Sequence, residues 1–185
     1  PDKMQFHARQ QNGGTIIAMD GKVRKINMKH DSLLSAGVYP AWHPHLNLIA
    51  YSTNHTMQNF HTRDKNKVEV FDTDSDVILF DTENNTVMPV SRLKDEMESF
   101  PSWSPDGKWL YYCSAKIEFS DSIGKEYDAN TRYKDIKYSI YRKAFNEKDM
   151  TFGEAELIWD ATANNKGATL PRISPCGNYL VYAQG

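Results

Sequence analysis

The chain has 185 residues, a formal net charge of −2, 39 % hydrophobic and 12 % aromatic residues. That composition suits one packed domain or a piece of a larger one. It excludes electrostatic capture of nucleic acid or anionic lipid, and no run approaches the ~18 apolar residues of a membrane-spanning helix.

The opening PDKMQFHARQ has no apolar signal core. Residues 15–28, TIIAMDGKVRKINM, then form two runs around Asp20-Gly21, the strongest short hairpin signal in the chain. The KVRK segment within it reads as a solvated strand edge rather than part of a basic stripe. At Tyr39 begins a phrase, YPAWHPHLNLIAYS, that returns as FPSWSPDGKWLYYCS at Phe100 and as LPRISPCGNYLVYA at Leu170. In each copy an aromatic residue or Leu precedes a Pro (Pro40, Pro101, Pro171). A short segment ends at a second Pro (Pro44, Pro105, Pro175), and a turn leads into an apolar run. In SPDGK, Pro105 presets φ at the first corner, Asp106 accepts from nearby backbone N–H groups and Gly107 takes the positive φ. Gly177 is expected to do the same in the third copy. In the first, Asn47 is the non-glycine residue best suited to a left-handed conformation.

Between the first two copies lie an insertion, 53–69, an acidic run DTDSD at 72–76 and a second hairpin, VILFDTENNTVMPV, turning at Glu83-Asn84-Asn85. DTDSD lacks the Gly and the bidentate Glu of a calcium loop, and reads as a polar bend before a strand at 77–81. After the second copy come an insertion at 115–137 and a hairpin over 138–160 that turns through 146–153. The run WLYYC at 109–113 is apolar on both faces, with Trp109, Tyr111 and Cys113 on one and Leu110 and Tyr112 on the other, so it must be covered on both. Cys113 ends an apolar run and Cys176 sits in a turn, which places the pair poorly for a disulfide.

Phrase plus second hairpin gives four antiparallel strands. Small doubly covered sheets stacked face to face are the packing of propeller blades. A sandwich would also show short strands, but three aligned copies with matched Pro–Pro spacing favour a propeller. The fold class is therefore all-β: a propeller segment of four-stranded antiparallel blades, two complete and two half. The units are an outer hairpin at 15–28, blades at 39–91 and 100–160, and an inner hairpin at 170–185, all in one region spanning 1–185. Intervals of 61 and 70 residues between Pro40, Pro101 and Pro171 exceed the ~40–45 of a WD-type blade, and the excess lies in the two insertions. Propellers close with about four to eight blades, so the expectation is a fragment of a larger propeller or one that needs a partner. Open blade edges would favour self-association.

At Pro101–Ser114 the chain resembles the TolB-like, WD40-like β-propeller repeat family, whose hallmark phrase is P-x-W-S-P-D-G. Pro40–Ser52 matches with His43 and His45 in place of Ser and Asp, and Pro171–Ala183 with Ile173 for Trp and Cys176 for Asp. The stretch GTIIAMDGKVRKINMK…SAGVYPAWHP is similar to exported TolB-like propeller proteins of Bacteroidetes. The resemblance implies an extracytoplasmic, periplasmic binding propeller, often part of an envelope complex. A repeat motif speaks for fold far more than for function.

In this strand order the insertions and the inter-blade links emerge on one rim and the tight turns on the other. Long loops are uncommon without a role. The first insertion offers His55, Phe60, His61 and Arg63, and the second Tyr127, Arg132 and Tyr133, aromatic and Arg side chains of the kind that build recognition surfaces. These seven are the candidate ligand-binding residues. No catalytic residue and no metal or other cofactor is expected: the histidine pairs lack ligand spacing, no cysteine cluster supports zinc, and neither a G-x-S-x-G elbow nor a phosphate-cradling loop is present. His43 and His45 fit turn capping. The leading reading is a non-catalytic scaffold for a protein or glycan in the cell envelope. The rival is part of a propeller enzyme, either a metal-dependent lyase similar to oligogalacturonate lyases, with His43 as ligand, or the propeller of a prolyl-oligopeptidase-like peptidase.

Overall fold

The computed structural model describes residues 3–6, 13–27, 37–54, 59–64, 67–71, 75–116 and 135–185. Three strands come first: β1 (Lys3–Phe6), β2 (Gly13–Ala18) and β3 (Val23–Asn27), paired in that order. The first blade is β4 (Gly37–Trp42), β5 (Leu48–Asn54), β8 (Ser75–Asp81) and β9 (Thr86–Ser91); β6 (Asn59–Asp64) and β7 (Lys67–Phe71) form a separate hairpin. The second blade is β10 (Glu96–Trp103), β11 (Trp109–Lys116), β12 (Ser139–Asn146) and β13 (Thr151–Trp159). After the short helix α1 (Ala161–Asn164), β14 (Ala168–Ile173) pairs with β15 (Leu180–Gln184). All these pairings are antiparallel.

The sheets stack face to face in chain order because their inner strands are apolar on both sides. Ile49, Tyr51, Ile78 and Phe80 pack with Ile16 of the N-terminal sheet. Their alternating neighbours Leu48, Ala50, Val77 and Leu79 pack with Leu110, Tyr112 and Phe145 of the second blade. The opposite side of that blade, with Cys113 and Ile140, receives Ala168, Leu180 and Tyr182. This is a β-propeller segment with two complete four-stranded blades.

Four expectations change. The N-terminal unit is three-stranded, because β1 adds to the hairpin through the register Lys3↔Ala18 to Phe6↔Thr15. The first insertion is not all loop, since it holds the β6–β7 hairpin. Ser75 and Asp76 belong to strand β8 and not to a bend: Asp76 pairs with Thr53 in the ladder, and its carboxylate meets Arg92 Nε at 3.1 Å. Asn47 is not among the described residues with positive φ; its turn is held another way.

Gly21, Gly107 and Gly177 do take positive φ, at 84°, 72° and 77°. In the second and third copies a serine caps the turn: Ser104 Oγ accepts from Trp109 N and Ser174 Oγ from Tyr179 N, each at 3.0 Å. In the first copy His43 stands at the matching position, and its Nδ1 accepts from His45 N (3.2 Å) and Leu46 N (3.0 Å). An imidazole reaches both amides at once, so no left-handed residue is needed.

The residue before the first Pro of each phrase has a role of its own. Tyr39, Phe100 and Leu170 have φ of 54°, 57° and 56°. At each the strand register slips, between Val38 and Ala41, Ser99 and Ser102, and Thr169 and Arg172. These are equivalent β-bulges, one per inner strand, where the missing N–H of Pro leaves no donor orphaned. A left-handed non-glycine residue costs about 1 kcal/mol. Contact offsets it in two copies: the rings of Tyr39 and Phe100 meet across the blade seam at 4.5 Å.

Candidate binding face at the loop rim

The strand order separates two rims. One carries the tight turns 43–47, 82–85, 104–108, 147–150 and 174–179. The other carries both insertions and the inter-blade links, because β5 and β11 end there and β8 and β12 begin there. The register fixes this: Asn54 faces Ser75, Glu96 faces Lys116, and Ser114 faces Ser139.

A pocket of about 310 Å³ opens on the loop rim of the second blade. Glu96 opens β10, Ser114 and Lys116 close β11, and Ser139 and Tyr141 open β12. Asp135 and Lys137 precede β12, while Ala161, Thr162 and Asn165 come from α1 and its end. Lys116 and Asp135 belong to the described ends of the second insertion, so the pocket lies at its root. Its wall is tied together. Ser114 Oγ donates to Glu96, Lys137 Nζ donates to Asn165 Oδ1 at 2.6 Å, and Ala161 N donates to Ser139 Oγ at 3.0 Å. Asp160 caps α1 by accepting from Thr162 N and Ala163 N, and Asn165 ends it in the left-handed region at φ 51°. A short asparagine tolerates that conformation better than most residues.

Beside this pocket, in the seam between the two blades, lies Glu98, which is fully buried. Its Oε1 accepts from Ser91 Oγ and, at 3.3 Å, from Leu93 N. Its Oε2 finds no hydrogen-bond partner among the described residues. Burial pushes the carboxyl up to about 7; the Ser91 hydroxyl opposes this, and the charges of Asp76 and Glu96 add to it. A second serine bridge crosses the same seam, with Ser52 Oγ and Ser99 Oγ 3.2 Å apart. No sequence signal pointed to Glu98. Its neighbour across the ladder, Ser114, and the serines of the facing blade are ordinary strand residues until the blades are stacked.

A second cleft of about 310 Å³ lies where the inner strands β4, β10 and β14 converge, lined in part by Trp42, Ser102, Trp103 and Arg172. The indole Nε1 atoms of Trp42 and Trp103 are buried and have no hydrogen-bond partner among the described residues.

Of the candidate residues from the insertions, Phe60, His61 and Arg63 lie on β6, where Phe60 pairs with Val70 and His61 with Glu69. His55, Tyr127, Arg132 and Tyr133 lie outside the described residues. His43 is at the other rim and is enclosed. Besides its two Nδ1 contacts, Nε2 donates to the Gly107 carbonyl at 3.1 Å, and the Trp103 ring packs 4.6 Å away. Burial lowers its pKa, against the opposing pull of Gly107 and Glu147. Both ring nitrogens are thus committed to backbone groups, which matches the capping role. Among the described residues no group of three or more His, Cys, Asp or Glu side chains is arranged to hold a metal ion, and no helix is long and apolar enough to cross a membrane. Cys113 and Cys176 are both free, one buried and one exposed.

No protein-family model and no curated protein matches the chain. Among solved structures it is similar to a candidate TolB from Agrobacterium tumefaciens, with 15 % identity and a TM-score of 0.44 over 100 % of this chain and 66 % of that one. It is similar to the acylaminoacyl peptidase of Pyrococcus horikoshii (11 %, TM-score 0.45, covering 97 % and 25 %). A third similarity is to TolB from Acinetobacter baumannii (16 %, TM-score 0.37, covering 92 % and 42 %). The chain therefore spans 66 %, 25 % and 42 % of the lengths of these three proteins. The blade assignment rests on the sheet order and register described above.

Proposed function

We propose that this chain is a non-catalytic binding scaffold of the TolB-like propeller type, which presents its loop rim to a protein or glycan partner in an extracytoplasmic, envelope-associated setting. One observation carries the reading: both insertions and an internally hydrogen-bonded polar pocket share one rim. The turns of the opposite rim are short and closed on themselves, with Pro44, Ser104 and Pro105 also lining the inner-strand cleft. Binding residues concentrate on segments held by a rigid scaffold, and here both insertions leave the scaffold on one side. His43 counts against the metal-dependent lyase reading, because its nitrogens already serve the backbone.

The test is hydrogen exchange of the chain with and without a bound envelope protein or polysaccharide, chosen from an immobilised panel of both. Slowed exchange is expected at 96–98, 114–116, 135–139 and 161–165. Protection confined to the turns around Asp20, Asp106 and Cys176 would overturn the reading.

A further inference from the structure

The pocket at the root of the second insertion has a chemistry that narrows its ligand. Its charged side chains balance, Glu96 and Asp135 against Lys116 and Lys137, so the wall carries no formal net charge to favour an ion of either sign. Its remaining polar groups are hydroxyls and an amide, including Ser139, Tyr141 and Asn165. Carboxylates only accept hydrogen bonds, ammonium groups only donate, and hydroxyls do both. A ligand that meets all of them in a small space must itself donate and accept at neighbouring atoms, as vicinal hydroxyl groups do. The contacts of protein partners centre on aromatic or Arg anchors seated in desolvated apolar pockets; this wall, polar nearly throughout, is a poor seat for one. A volume of about 310 Å³ is at the small end of ligand sites and suits one sugar ring with its substituents.

We infer that this pocket binds one neutral sugar unit of a glycan chain, with Glu96 accepting from sugar hydroxyls and Lys137 and the Asn165 amide donating to them. The inference deepens the reading of the loop rim as the binding face and rests on it. The Lys137–Asn165 and Ser114–Glu96 contacts hold these groups in place before the ligand arrives, which lowers the ordering cost of binding.

The test is titration of the chain with neutral disaccharides (maltose, cellobiose, chitobiose, xylobiose and mannobiose), read by calorimetry and by amide chemical shifts. An anionic oligogalacturonate and free glycine serve as controls. At least one neutral disaccharide is expected to bind, with shifts at 114–116, 137–141 and 161–165. Glu96→Gln and Asn165→Ala should each weaken it about tenfold or more, the loss expected when a hydrogen bond to a sugar is removed. Lys108→Ala, on the far rim, should leave affinity unchanged, and melting curves of all three variants would show that each remains folded. No binding of any neutral disaccharide up to about 10 mM, far weaker than a specific site, overturns the inference. So does tighter binding of the oligogalacturonate, or neutral-sugar binding that Glu96→Gln and Asn165→Ala leave intact. Loop-rim protection by a protein partner together with failure of every sugar would sink the sugar site and leave the binding face standing. Sugar-dependent shifts confined to the tight-turn rim would sink both.

Discussion

The two ends of the seam between the first and second blades solve the same packing problem differently. At the tight-turn end, Trp103 and Phe145 enclose His43, and each nitrogen of the imidazole is bonded to backbone groups. At the loop end the seam turns polar, and it buries a carboxyl whose Oε2 has no partner among the described residues. Buried polar groups are inexpensive only when fully bonded. The first end is therefore closed around its imidazole, although the Trp103 indole N–H there has no partner among the described residues, while the second leaves a carboxyl oxygen unpaired beside a pocket.

The largest effect should come from the closed end. A Cβ on Gly107 would stand 2.5 Å from His43 Cε1 and Nε2, whereas one on Gly177, in the same turn of the third phrase, would meet nothing within 4 Å. Gly107→Ala is expected to cost about 3 kcal/mol, combining left-handed strain with overpacking. Gly177→Ala should cost only about 1 kcal/mol for the strain. Denaturant unfolding measures both, and His43→Ala should lessen the cost of Gly107→Ala in a double-mutant cycle. Equal costs at the two glycines would erase the contrast between a seam turn and a free turn.

Next is the open end, through pH. The Glu98 carboxyl sits at about 7 in the fold against an ordinary 4.5, so between those values the folded chain holds a proton that the unfolded chain has released. Stability should fall as pH rises from about 4.5 to about 7 and then level off, a loss of about 3 kcal/mol from this group. Unfolding midpoints across that range would show the slope, and Glu98→Gln should flatten it. A slope that survives the substitution would assign the titration to another group. The smallest effect concerns metal: with both His43 nitrogens occupied, zinc, manganese or calcium should leave the melting temperature of the wild type and of His43→Ala equally unmoved. A rise in the wild type alone would revive the lyase reading.

Much of the fold was legible in the chain. Asp20-Gly21, Asp106-Gly107 and Cys176-Gly177 announce their turns because only glycine takes that φ without cost. The two-faced apolar run at 109–113 announces stacking on both sides. The Tyr39, Phe100 and Leu170 bulges were visible as a repeated residue before Pro, but nothing local says that such a residue turns left-handed; a strand pairing decides it. His43 could be read as a cap from its alignment with Ser104 and Ser174, while its grip on Gly107 depends on a neighbouring blade. The candidate site was the least legible part. The insertions leave from the rim on which the pocket opens, but the pocket is assembled from Glu96, Lys137 and Asn165, residues unremarkable in their own segments and far apart in the chain.

By itself, then, the sequence determined the blade unit, its turns and the rim from which the long segments leave, since those follow from local backbone preferences and a period-two apolar pattern. The tertiary structure alone decided which polar groups are stranded in the seam and which converge on the pocket. Burial and convergence are properties of stacked sheets, and no single strand carries them.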